Sequence, residues 1–274
     1  MENSIQTSLK GEKETLFICL RAKALDSQNK NSILHDTEAN KILKSINYDF
    51  DKFKAASTFD DDLPNVWRAK HFDDWIREFI AANPNAVVVY LGCGLDTRIK
   101  RINPPDTVSW YDVDFPEVIE LRESFFTETS NYRMIASSVT KGDWIEEIPN
   151  NRPVMIVAEG VLMYLEPEDV EKLFHRLTGH FSHGQMVFDV LNKWIVQHSA
   201  RQMKKTTGAI HKWGVDDLQE INRFSPKLKK LDEIPLVKSQ YVKQLPFGIF
   251  KIFCRTAALF PFGKQVFRFM RYEF

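Results

Sequence analysis

Apolar residues along the 274-residue chain change their period several times, and each change marks an element. The first sixty residues are polar and broken, with helices predicted over 14–25 and 37–46. Asp60-Asp61-Asp62-Leu63-Pro64 then punctuates the chain. Val66, Trp67, Phe72, Trp75, Ile76, Phe79 and Ile80 follow at helical spacing until Asn83-Pro84 ends the run. Residues 86–91, AVVVYL, are a continuous apolar run, the pattern of a strand buried on both faces. A helix over 95–102, a strand over 108–113 and a helix from 115 to about 126 come next, then strands over 132–136 and 154–158. Pro167 opens the best-marked helix. Glu166, Glu168 and Asp169 suit its positive end, Val170, Leu173, Phe174 and Leu177 form one stripe, and Gly179 stands where a C-terminal cap belongs. Residues 185–191, QMVFDVL, are a further strand. This alternation predicts an α/β fold, a doubly wound parallel sheet with helices on both faces and an N-terminal helical extension.

Hydrophobic residues at 43% and charged residues at 27% are ordinary for a globular chain, and exclude disordered, collagen-like and disulfide-stapled classes. A single domain is predicted: extension 1–65, core 66–191, and lid and closing elements 192–274. The 37 basic and 37 acidic residues cancel, which removes the simplest argument for a nucleic-acid partner. The cancellation is uneven, because residues 201–274 hold 15 basic and 6 acidic side chains. Eight of the 21 phenylalanines fall in 247–274, interleaved with Lys251, Arg255, Lys264, Arg268 and Arg271. Such a stretch suits an anionic membrane surface. The plainer reading is a last helix over 247–260 and a closing strand over 266–272, packed on the sheet. Three scattered cysteines, a polar start and no apolar run long enough to span a bilayer predict a cytoplasmic protein without a transmembrane segment. Oligomeric state is not encoded in any pattern found.

The stretch VVVYLGCGLDTR carries the most chemistry: a buried strand runs into Gly92-Cys93-Gly94 and then into a helix. Glycines at such a turn let a ligand approach the backbone. Asp112 and Asp114 lie twenty positions beyond Gly92 and Gly94, where a carboxylate at the second strand's tip accepts ribose hydroxyls. Thr97 replaces the third glycine of a dinucleotide fingerprint, and Asp96 puts a carboxylate where a pyrophosphate would sit. S-adenosyl-L-methionine has no phosphate, and its sulfonium and ammonium suit an acidic loop, so it is preferred over NAD.

LGCGLDTR, WYDVDFPEVIE and VAEGVLMYLEPEDVEKLF together resemble the leucine carboxyl methyltransferase family, including its bacterial tetracenomycin-synthesis-type O-methyltransferases. The resemblance covers residues 68–191, with a weaker echo over 21–36, and implies a Rossmann-like S-adenosylmethionine-dependent methyltransferase. It implies that Arg68, on the helix before the first strand, pairs with the cofactor's carboxylate, a bidentate match for guanidinium. Gly92, Cys93 and Gly94 would pass under the methionine part, and Asp114 would hold the ribose, with Asp112 on the same strand face able to share that role. Asp96 either faces the cofactor's ammonium or caps the next helix. Where the family has an aspartate and a leucine at the adenine edge, this chain has Ser138 and Val139. Glu159, after the fourth strand, would lie near the cofactor. Tyr164, five residues on, reads first as an amphipathic core tyrosine, with contact to substrate as the alternative.

Transfer from a sulfonium is a displacement on an already activated methyl group, and a carboxylate acceptor requires no base. No catalytic residue is assigned. The acceptor implied is a small molecule, methylated on a carboxyl or hydroxyl oxygen, with a lid over 192–222 that uses Trp213-Gly214 and Lys204-Lys205. His175, His180 and His183 straddle a helix end without acidic or cysteine ligands, so no metal is predicted. The alternatives are a methyltransferase-fold binding protein without transfer activity, and an NAD-dependent oxidoreductase.

Overall fold

Five strands fall where the apolar runs place them: β1 (Val87–Leu91), β2 (Ser109–Asp114), β3 (Tyr132–Ala136), β4 (Val154–Ala158) and β5 (Gly184–Leu191). A computed structural model describes residues 5–54, 62–245 and 248–274, and pairs these five strands in parallel. Two more, β6 (Lys229–Pro235) and β7 (Phe267–Glu273), complete a seven-stranded sheet of order β3-β2-β1-β4-β5-β7-β6. The sheet is therefore mixed, since β7 runs antiparallel to both β5 and β6. β7 takes the place of the predicted closing strand. β6 has no counterpart in the apolar pattern, because its sequence KKLDEIP forms an exposed edge and needs no buried face.

Alternate side chains of β1 feed two cores. Val88 and Tyr90 pack with α1 (Leu16–Ser27), α2 (Thr37–Ser45), α3 (Asp62–Ala82) and, through Ile119, α5 (Pro116–Glu123). Val87, Val89 and Leu91 pack on the opposite face against α6 (Pro167–His180), through Val170, Leu173, Phe174 and Leu177. The helix after β1, α4 (Arg98–Ile102), is shorter than predicted because Gly92–Thr97 are spent on a loop. Gly179 does not cap α6. The helix runs through it to His180 and ends when Phe181 turns extended and buries its ring. A Cβ on Gly179 would meet nothing within 4 Å, so nothing there requires glycine.

The N-terminal extension is helical as predicted, but it folds back on the sheet: α1 packs on both α2 and α3 and contributes Phe17, Leu20 and Ala24 to the core. Asp60 and Asp61 of the acidic punctuation lie outside the described residues, and Pro64 sits in the first turn of α3. After β5 come α7 (Lys193–Thr206) and a loop whose Trp213 is buried in the α6-side core. Of the predicted 247–260 helix, Ile249–Ala257 is helical (α8), and Phe247 lies outside the described residues. No helix among the described residues is long and apolar enough to cross a membrane.

Candidate active site

The sheet order reverses at β1, with β2 and β4 on either side, and the cleft lies at the carboxyl ends of these strands. Gly92 and Gly94 turn the chain there with φ of +62° and +52°, a region that disfavours any side chain. A Cβ on Gly92 would stand 2.3 Å from Val161 Cγ2, and one on Gly94 would stand 3.0 Å from Leu16 Cβ. The Gly92 N–H donates to the Val113 carbonyl at 2.7 Å, which ties the loop to β2.

Asp114, the last residue of β2, faces that loop. Its Oδ2 accepts the Gly94 N–H and its Oδ1 accepts the Phe115 N–H, each at 2.7 Å. Burial raises its carboxyl to about 6, against the opposing pull of those two hydrogen bonds and of Arg122.

Asp112 shares the face of Asp114 but not its surroundings. It is fully buried beneath the loop, away from the cleft, and accepts from Trp110 Nε1 at 2.9 Å, Arg122 at 2.6 Å and the Tyr132 hydroxyl at 2.7 Å. Arg122 in turn donates to the Gly94 carbonyl at 2.9 Å and the Asp96 carbonyl at 2.8 Å. Asp112 thus acts on the glycine loop from below, through Arg122.

One end of the cleft is a buried charge network. Lys23, from α1, reaches Asp96 at 2.5 Å and Glu159 at 3.2 Å. Asp96 also accepts from Arg101 at 2.8 Å, from the Tyr90 hydroxyl at 2.8 Å, and from the Arg98 N–H at 2.9 Å, which caps the start of α4. Glu159 is further held by Arg98 and lies 3.5 Å from Arg68. Burial disfavours the charge on Glu159, but Lys23, Arg98 and Arg68 outweigh it and hold the carboxyl below its usual range. Burial likewise opposes the charge on Asp96, and Arg101, Lys23 and Arg98 overcome it. Asp96 is therefore not the bare anion its sequence position suggested. Its helix-capping role has a direct hydrogen bond, and its charge is matched within the protein.

Arg68 sits one layer behind. It donates to Asp189 of β5 at 3.0 Å and to Asn65 at 3.1 Å, and its Nε has no hydrogen-bond partner among the described residues. Gly160 separates it from the cleft, and a Cβ there would lie 3.2 Å from its guanidinium. Asp189 also accepts the Gly160 N–H at 2.7 Å.

The predicted residues Gly92, Cys93, Gly94, Asp96, Asp114, Val139, Glu159 and Tyr164 all line the cleft. Ser138 does not: its hydroxyl turns back to Thr140 at 2.9 Å within its own loop. The three histidines go to separate partners: His180 to the Ile148 carbonyl, His183 to Ser182, and His175 to Glu171. Among the described residues, no part of 192–222 lines the cleft, and its cover is Glu12 to Lys23 from the N-terminal segment. Trp213 is core, and the side chains of Lys204 and Lys205 lie outside the described residues.

Lys23 and Asp189 escaped sequence reasoning. Asp189 did leave a signal, an acid within the apolar strand QMVFDVL, which is costly without a partner. Lys23 left none, because a single lysine within a helix is ordinarily solvated.

The sequence profile of leucine carboxyl methyltransferase matches residues 16–178. The tetracenomycin polyketide synthesis O-methyltransferase TcmP of Streptomyces glaucescens is 38% identical over 236 residues, 85% of this chain and 86% of that protein. An S-adenosyl-L-methionine-dependent methyltransferase of Gibberella zeae, dpfgK, is 27% identical over 98% of this chain and 97% of its own length. Among solved structures, a candidate methyltransferase from Thermobifida fusca superposes with a TM-score of 0.60 at 16% identity, covering 92% of this chain and 93% of that one, a likeness of fold. The chain belongs to the leucine carboxyl methyltransferase family and is an S-adenosylmethionine-dependent methyltransferase.

Proposed function

We propose that the protein methylates a carboxyl or hydroxyl oxygen of a small-molecule acceptor, and that Asp114, the glycine loop and the Lys23 network hold its cofactor. One observation carries this reading: Asp114 and the N–H of Gly94 meet at 2.7 Å on one wall of the cleft that Lys23 and Glu159 close at the end. The donor set fits an amino-acid–nucleoside ligand. Asp114 offers a carboxylate to paired ribose hydroxyls, and Val139 an apolar wall to the base. Lys23, with Arg68 behind Gly160, supplies positive charge for a carboxylate, and the proton on Arg68 Nε has no acceptor among the described residues. Glu159 faces an ammonium. When bound, S-adenosylmethionine supplies a methyl group already activated on a sulfonium.

The chain's own residues then orient, exclude water and select. Leu16, Phe115, Val118, Val161 and Leu165 give the cleft apolar walls, which suit an acceptor with an apolar body. The carboxylates of Asp96 and Glu159 are held ionised by cations at the cofactor's end of the cleft and offer no base to the acceptor, and burial raises the Tyr164 hydroxyl far above its ordinary range. That set favours an acceptor oxygen that arrives ionised, as a carboxylate does. TcmP, an O-methyltransferase of polyketide synthesis, is consistent with a small acceptor. The three free cysteines support a cytoplasmic location. The test is transfer of isotopically labelled methyl from S-adenosylmethionine to a panel of small carboxylic acids and phenols. Base-labile methyl ester products support the reading. Label found only on nitrogen or carbon contradicts it.

A further inference from the structure

α8 presents two unlike faces. Cys254 and Phe250 pack inward on Trp67 and Tyr241, whereas Ile252 and Phe253 point outward, 46% and 54% exposed. One and two turns on, the chain adds Leu259 at 74%, Phe260 at 62% and Phe262 at 50% exposure, and Trp194 of α7 meets the Phe262 ring edge-on at 5.6 Å. These side chains form a contiguous knuckle where α8 turns into the short helix Pro261–Gln265. The turn is rigidly set: a Cβ on Gly263 would lie 2.2 Å from the Ala257 carbonyl, so the two helices touch backbone to backbone. A fixed apolar tip of this size, built of rings and leucine, is unusual on a free surface.

Charge along the segment that carries the tip has a single sign, and the carboxylates beside Trp194, Asp216 and Glu220, are taken by the N–H and the ammonium of Lys193. Residues 234–272 contain seven basic side chains and no acidic one. Arg271 is drawn off to Glu78 and Arg268 to Glu233, both on the sheet side. Arg255 and Lys243 are exposed beside the knuckle, and Lys251 and Lys264 flank it, part-buried. An apolar tip on a segment whose charges are all basic matches an acyl-chain boundary beneath anionic headgroups, the complement that interfacial helices use. A protein partner's groove would need no such uniform charge.

We propose that this knuckle docks the enzyme on an anionic lipid bilayer surface, with Leu259, Phe260 and Phe262 in the acyl boundary and Arg255, Lys243 and Lys264 on the headgroups. The proposal does not depend on the acceptor or on the cofactor site.

Co-sedimentation of the full chain with vesicles tests it, using phosphatidylcholine alone against phosphatidylcholine mixed with phosphatidylglycerol. The expected result is binding to the anionic vesicles only, weakened by added salt. Leu259→Ser and Phe260→Ser should each lower the partition coefficient about tenfold, and Arg255→Glu by about fivefold or more. These exposed positions should leave the melting temperature and cofactor affinity unchanged. Equal partition into neutral and anionic vesicles, no binding to either, or unchanged binding by Leu259→Ser/Phe260→Ser overturns the proposal. So does a dimer in solution that Leu259→Ser/Phe260→Ser separates while vesicles bind nothing, which assigns the knuckle to a second copy of the chain.

Discussion

Arg122 and Asp112 form a fully buried ion pair at 2.6 Å, and the same guanidinium holds the carbonyls of Gly94 and Asp96 from beneath the cleft. The pair lies outside the cleft yet fixes the backbone that forms its floor. Removing one partner leaves the other charge buried and unmatched, so Asp112→Ala should cost about 3–5 kcal/mol of stability. Chemical denaturation measures that loss. Cofactor affinity should fall as well, because the loop carbonyls lose their anchor, whereas a mere core role would leave affinity in the folded fraction unchanged.

The glycine turn gives a second, graded test. Gly92→Ala places a side chain at φ +62° and 2.3 Å from Val161, and should cost about 1–3 kcal/mol. Adding Val161→Ala should recover the steric part and leave the backbone part. Gly94→Val should abolish cofactor binding, since a branched side chain would meet Leu16 across the cleft. Thermal unfolding and calorimetry on the same samples separate the two effects.

Asp114 predicts a pH dependence. Its carboxyl is raised from 3.8 to about 6, chiefly by burial. A raised folded value means that its favourable contribution is full below the ordinary value and is lost as pH rises through about 6, so at neutral pH the ionised group is a cost to the fold. Ribose hydroxyls donating to the ionised form would relieve that cost and lower the value. Cofactor affinity should therefore weaken as pH falls through about 6, with proton release on binding near that pH. Calorimetry in two buffers of different ionisation heat reads the proton count. Affinity that stays flat down to about pH 5 contradicts the assignment.

Lys23 tests the proposed orientation of the cofactor. Lys23→Met removes a cation shared by Asp96 and Glu159, and should weaken S-adenosylmethionine binding at least tenfold while adenosine binding stays within a factor of two or so. Equal losses for both ligands would place Lys23 in general support of the cleft instead.

Strands β1 to β5 were legible because parallel strands buried on both faces read as unbroken apolar runs. The glycine loop and Asp114 were legible for a related reason, as sharp departures at the ends of such runs. Period alone could not separate Asp112 from Asp114: it gives the face of a strand but not the depth along it, and depth decides which carboxylate meets Arg122 and which meets Gly94. β6 was invisible because an exposed edge carries no apolar signature. The place of α1 was not legible for a different reason: it lies over the glycine loop through contacts across the sequence, such as Lys23 with Asp96, that no local pattern records.

Calorimetric titration of S-adenosylmethionine into the folded full chain tests the central claim most directly, with Gly94→Val and Arg68→Ala alongside. The account predicts one saturable site in the micromolar range, lost in Gly94→Val and weakened in Arg68→Ala. Wild-type protein that is folded by circular dichroism and gives no heat with the cofactor would contradict it.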